Sequence, residues 1–255
     1  MPARWSPDWA AGYAGNVDLG SVKAAPTPVL IRGTIAAARN AQALLYDAQV
    51  LADAGSMSRA YSLAALAVEE AGKAASLVLL TVMPETLRAR APVGAMLEWH
   101  QLKQVQGLLM AGVSYRLPAF FPKLAVMPVG ELAQILTDLD APADETDRLK
   151  RRGLYVDIGR GGRIREPSGI TEPEVVSQLA RARQASATAD QLLEPELHAL
   201  MVNPPVEAVE LARAEVSALT EARYARTPAA ATNVVLNAVG KFRPGMAASE
   251  AQGPI

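Results

Sequence analysis

The sequence predicts an all-α fold, and three observations carry that expectation. Half of the 255 residues are apolar, yet only 5% are aromatic. Alanine dominates, and valine and isoleucine are scattered instead of gathered into alternating runs. Alanine and leucine favour helices, whereas strands favour β-branched and aromatic residues. Apolar residues also recur at steps of three and four over long stretches, which is the period of a helix face. A chain of this length holds one large domain or two small ones, with ample material for a core.

Residues 1–28 read as an irregular arm. Trp5, Trp9 and Tyr13 fall four apart and would line one side of a short helix tucked onto the domain. Pro26 and Pro28 stop that arm, so the domain is expected over 29–202, with a C-terminal helix and loosely attached tail over 203–255. A helix is predicted from Leu30 to Ala54, with Ile35, Ala38, Leu45, Ala48, Leu51 and Ala52 facing the core. Gly55 is a natural stop, and Ser56 or Ser58 can cap the next helix. That helix runs to about Val82, before Met83 and Pro84, and forms a hairpin with the first.

A third helix is expected from Val93 to Val113, with Trp99, Leu102, Gln106, Leu109 and Val113 along one face. Residues 114–147 contain four prolines and suggest a connector or lid, with an amphipathic turn at Leu132, Ile135, Leu136 and Leu139. The basic run Arg148 to Gly153 then leads into Leu154 to Ile158, the one convincing strand signal. With Gly159 to Arg163 as a turn and a return from Ile164, it predicts a small β-hairpin. Thr171 opens a long helix, with Glu172, Pro173 and Glu174 in its first turn. Another helix is expected from Val206 to Arg223.

Several classes of function are disfavoured. A net charge of -1 creates no global field toward nucleic acid or lipid, so such binding needs a local patch. Without cysteine there is no disulfide, thiolate metal site or cysteine nucleophile, which fits a reducing compartment. Trp5, Pro7, Asp8 and Trp9 interrupt the place where a signal peptide needs an apolar run. The longest apolar segment, Ala74 to Met83, is half the ~20 residues a membrane span requires. A cytoplasmic protein without membrane contact is expected.

The chain is organised around residues 59–103, and above all around Ala67-Val68-Glu69-Glu70-Ala71-Gly72-Lys73. On a helix, Leu63, Leu66, Glu70, Lys73, Leu77 and Leu80 share a stripe, while Tyr61, Ala64, Val68, Ala71, Ala75 and Val78 line the other side. A helix apolar nearly all round belongs in the middle of a bundle. Charge placed there must find a partner, because burying it alone is costly. Glu69 and Lys73, four apart, would gain about 0.3–0.5 kcal/mol as a surface pair. Glu70 lies along the leucine stripe and is the carboxylate left to explain.

Known site patterns are mostly missing. Di-metal carboxylate bundles use Glu-x-x-His, but Leu97 and Pro195 stand three before His100 and His198. Gly72-Lys73 lacks the earlier glycine and the following Ser or Thr of a phosphate loop. Gly159 to Arg163 could hold a phosphate, although a tight turn explains it more simply. No cofactor or metal is implied. His198 reads as a surface or interface residue. His100, with Lys103 one turn later, is the candidate proton carrier.

Four segments resemble the AbiV family of bacterial abortive-infection proteins, within the HEPN superfamily. They are Arg59-Ala60-Tyr61-Ser62-Leu63-Ala64, Ala67 to Lys73, His100-Gln101-Leu102-Lys103, and Lys150-Arg151-Arg152-Gly153-Leu154-Tyr155-Val156-Asp157, and the likeness spans roughly residues 30 to 200. It implies an all-α HEPN-type bundle of four or five helices, often dimeric, working in phage defence. Many HEPN proteins are metal-independent ribonucleases whose signature is Arg, four to six residues, then His. Here Val93, Gly94 and Ala95 stand where His100 would need its arginine, and Gln191, Leu192 and Leu193 precede His198.

Two readings follow. In one, His100 is general acid or base, Lys73 and Lys103 hold phosphate, and Glu70 orients the histidine or a lysine. In the other, these residues form a structural network, and the protein arrests infected cells by binding RNA or the translation machinery. Arg59, Lys150, Arg151, Arg152 and Tyr155 are the candidate RNA contacts, a homodimer is expected, and a phage-encoded protein is a candidate trigger. A helical scaffold without RNA contact is the third class.

Overall fold

The computed structural model describes residues 19–89, 91, 93–98, 100–112, 129–158, 163–194, 199, 201–204 and 209. Helix packs on helix throughout. The elements are α1 (Leu19–Lys23), α2 (Thr27–Asp53), α3 (Met57–Val82), α4 (Glu85–Arg88), α5 (Val93–Glu98), α6 (His100–Gly112), α7 (Val129–Leu154) and α8 (Glu172–Asp190), the last followed by a 3-10 turn, Gln191–Leu193. α3 is the axis and packs against α2, α6, α7 and α8.

Local chemistry explains the element ends. Pro26 and Pro28 flank the first residue of α2 and so open this helix, where a missing N–H costs nothing. At its other end Gly55 has φ 76. Its N–H donates to Ala52 O at 2.9 Å, and the Ser56 N–H donates to Leu51 O at 2.8 Å. This left-handed stop satisfies carbonyls that the helix leaves open. Ahead of α8, the Thr171 N–H donates to the Glu174 carboxylate at 2.6 Å, closing the first turn. That bond, with a second from the Thr171 hydroxyl at 2.7 Å, holds the Glu174 carboxyl below its ordinary pKa.

Several expectations are corrected. Leu19–Lys23, inside the supposed irregular arm, is helical; residues 1–18, with the aromatic triplet, lie outside the described residues. The expected third helix is helical over both Val93–Glu98 (α5) and His100–Gly112 (α6), as its apolar spacing predicts; residue 99 lies outside the described residues. The supposed lid is largely α7, which runs through Pro142. A proline inside a helix removes one hydrogen bond and ordinarily breaks it. Here the buried Ala143, Thr146, Leu149, Lys150 and Gly153 keep α7 in the bundle, and the Thr146 hydroxyl donates to Pro142 O at 2.7 Å.

The basic run 148–153 is therefore the last turn of α7, not the approach to a strand. Leu154 is still helical, and the Tyr155 N–H donates to Arg151 O at 3.1 Å in continuation of that geometry. Among the described residues of this stretch, Asp157–Ile158 pairs antiparallel with Ile164–Arg165; the expected turn, 159–162, lies outside the described residues. So do residues 113–128 and nearly all of the expected helix from 206 to 223.

Close helix crossings decide which side of α3 is innermost. A Cβ on Gly72 would stand 2.0 Å from Lys103 O, and one on Gly107 would stand 2.1 Å from Val68 O. Glycine alone lets α3 and α6 approach this closely. Gly153 does the same for α7, where a Cβ would meet Ser58 O at 2.5 Å. Nearby, the Ser62 hydroxyl lies 3.1 Å from Lys150 O. The face of Ala60, Ser62, Ala64, Ala65, Val68 and Gly72 is buried, while Leu63, Leu66, Glu70 and Lys73 are only half-buried.

Candidate functional site

Because α3 presents its small-residue face to α6 and α7, the carboxylate carried inward is Glu69. It is 2% exposed. Its Oε2 lies 2.7 Å from His100 Nδ1 and 3.8 Å from Lys103 Nζ, both on α6. Its Oε1 accepts from Gln104 Nε2 at 3.0 Å and from the Lys150 ammonium of α7. Gln104 Nε2 also reaches Ala65 O, at 3.1 Å. Lys150 in turn holds Asp147 Oδ1 at 2.9 Å, and Asp147 Oδ2 holds Arg151 at 2.5 Å. A line of alternating charge thus runs from Arg151 at the surface, through the bundle, to His100.

The electrostatics follow from that geometry. Burial pushes the Glu69 carboxyl up, but the His100 hydrogen bond and the Lys150 and His100 charges outweigh it, leaving the pKa at about 2. Burial pushes the Lys150 ammonium down, and Glu69 and Asp147 reverse this to a net rise. Lys103 stays lowered. Burial dominates there, with Lys73 adding to it and Glu69 opposing. A buried ion cluster is tolerable only with both charges satisfied, and every charged atom of Glu69 has a partner here.

Of the residues singled out from sequence, His100, Lys103 and Lys150 meet at this centre. The His100 side chain is 45% exposed, so the imidazole reaches from the buried carboxylate to the surface. Lys73 donates to Glu70 Oε1 at 3.5 Å on the half-buried flank beside it, so the expected Glu69–Lys73 pair is replaced by Glu70–Lys73. The imidazole is held by Glu69, the carboxylate that the helical stripe had left for the surface. Arg59, Arg151, Arg152 and Tyr155 are exposed, Tyr155 by 62%. Lys150, from the same basic run, points inward instead. His198 lies outside the described residues.

Glu69, Gln104 and Asp147 were missed. Gln104 follows His100 by one helical turn, and Asp147 precedes Lys150 and Arg151 by three and four, so each had a helical-spacing signal. The arrangement offers a half-exposed proton carrier with cationic side chains close by, the chemistry needed to bind and protonate a phosphate ester. Among the described residues no group of three or more His, Asp or Glu side chains could hold a metal ion, and no helix is long and apolar enough to cross a membrane.

An α3 axis wrapped by four helices, with a polar centre on its inner face, defines a HEPN-type helical bundle. A HEPN-class family model described as AbiV matches residues 29–187, more than half of the chain, and the protein belongs to the AbiV family. That family is one of abortive-infection proteins in phage defence. Comparison with curated proteins finds no match, and comparison with solved structures finds none either.

Proposed function

We propose that this AbiV-family protein disables phage-infected cells by acting on RNA in the cytoplasm, and that the His100 site cuts RNA without a metal ion, arresting translation. The observation that carries the reading is the half-exposed imidazole anchored on a buried carboxylate, with Lys103 facing the same carboxylate oxygen and Lys73 close enough to act on Lys103. In metal-free cleavage the ribose 2′-oxygen attacks phosphorus, the bond to the 5′-oxygen breaks, and a 2′,3′-cyclic phosphate results. A neutral His100 would take the 2′-hydroxyl proton, or an imidazolium would protonate the departing 5′-oxygen. The ammonium groups would stabilise charge on the phosphorane-like transition state. A homodimer would bring a second imidazole for the other proton transfer, and a phage-encoded protein is the proposed trigger.

A second reading, binding of RNA or the translation machinery without cleavage, is favoured by a different observation. Arg148, Arg151, Arg152 and Tyr155 are all exposed where α7 ends, a basic patch with an aromatic beside it. The arginine expected upstream of His100 is also absent from the sequence.

The full chain incubated with cellular RNA and a chelator separates the two. Cleavage predicts new cyclic-phosphate ends that vanish in His100→Ala while the circular dichroism spectrum is retained. Intact RNA that is bound in a steeply salt-dependent way, and more weakly by Arg152→Ala, would instead establish the binding reading.

A further inference from the structure

We propose that Glu69 is the positioning residue of the His100 site, fixing the imidazole in the tautomer whose proton sits on Nδ1 and so making Nε2 the ring's basic atom. The consequence for catalysis rests on the cleavage reading above; the tautomer does not. An ionised carboxylate only accepts hydrogen bonds, so the 2.7 Å contact between Glu69 Oε2 and His100 Nδ1 requires the proton on Nδ1. The carboxylate cannot turn away. Its other oxygen is committed to the Lys150 ammonium and to Gln104 Nε2, and Gln104 is itself tied to Ala65 O. Lys150 is held from behind by Asp147, and Asp147 by Arg151.

Among the described residues, the charged groups clustered with Glu69 and His100 come from three elements. α3 supplies Glu69 and the Glu70–Lys73 pair, α6 supplies Lys103, and α7 supplies Lys150 with Asp147. Of these, Glu69 is the carboxylate in contact with the imidazole. A buried carboxylate that selects the tautomer of a proton-carrying histidine is a positioning arrangement found on unrelated folds.

The chain has only two histidines, so the imidazole nitrogen NMR spectrum of the full-length protein contains two rings, assigned with a His198→Asn variant. In the wild type, at a pH where the ring is neutral, His100 is expected to carry its proton on Nδ1, the opposite of an imidazole free in water. In Glu69→Gln the amide oxygen must face the donors Lys150 and Gln104, which turns the amide NH2 toward Nδ1. Nδ1 then has to accept, and the tautomer should flip to Nε2–H.

A wild-type ring protonated on Nε2, or a ring unchanged in Glu69→Gln, overturns the proposal; the wild-type spectrum decides even if the variant fails to fold. On RNA, Glu69→Gln should lower kcat by about a hundredfold or more with KM unchanged. A wild type that shows the expected tautomer and leaves RNA uncut supports the positioning of His100 and sinks only the cleavage reading.

Discussion

Two ion clusters share α7. Glu145 and Arg148 meet at 2.5 Å with half of each side chain in solvent. Lys150, two residues on, meets Glu69 with 6% and 2% of the side chains exposed. Similar contacts have different weights because water competes for the first and is excluded from the second. An exposed pair contributes at most about 1 kcal/mol, whereas removing one partner of a buried pair costs about 3–5 kcal/mol by stranding the other charge. The outer pair decorates the helix. The inner one joins α3, α6 and α7 into a single unit and also orients His100.

The sharpest way to break this contrast is Glu69→Ala. It strips Lys103 of the carboxylate it faces and leaves Lys150 with Asp147 alone, and should destabilise the fold by about 3–5 kcal/mol in denaturant titration. A loss below ~1 kcal/mol would place the cluster in the same class as Glu145–Arg148.

Acid should discriminate the clusters next. The Glu69 carboxyl lies below its ordinary value of 4.5, at about 2. Its folded pKa is depressed, so its contribution is fully present above the unfolded value and is lost as pH falls through the folded one. The window is therefore pH 4.5 to 2, and the contribution is on the order of 3 kcal/mol. Stability measured across that window should fall in the wild type and fall much less in Glu69→Gln, which has no proton to gain there.

Gly107→Ala tests whether the inner cluster depends on the close crossing of α3 and α6. Alanine is the better helix former by about 1 kcal/mol, but its Cβ would collide with Val68 O. The balance should be a net loss of about 1–3 kcal/mol, read as a lower melting temperature, together with a changed His100 imidazole signal. A gain in stability would mean that the crossing has slack. The smallest effect belongs to the outer pair, where Glu145→Ala should change stability by no more than about 0.5 kcal/mol and leave the His100 spectrum unaltered.

The order of amino acids carries the helical class, the first hairpin with its stop at Gly55, the start of α8 at Thr171, and the family, because helix period, capping chemistry and short motifs are local. It also placed His100 and Lys103 on one helix. It misjudged the depth of Glu69 and Glu70, which stand about a quarter-turn apart on α3. The leucine stripe suggested that Glu70 faced inward, yet bulky leucines fill the gaps between helices, while the nearest approaches select Ala, Ser and Gly. It also read strand into 154–156, where β-branched and aromatic residues follow a helix that tertiary packing extends. The site itself emerges from the packing of distant helices. The hydrogen-bond partners of Glu69 lie 31, 35 and 81 positions away in the chain, and charge pairing in a bundle depends on distance through space, which no local pattern encodes.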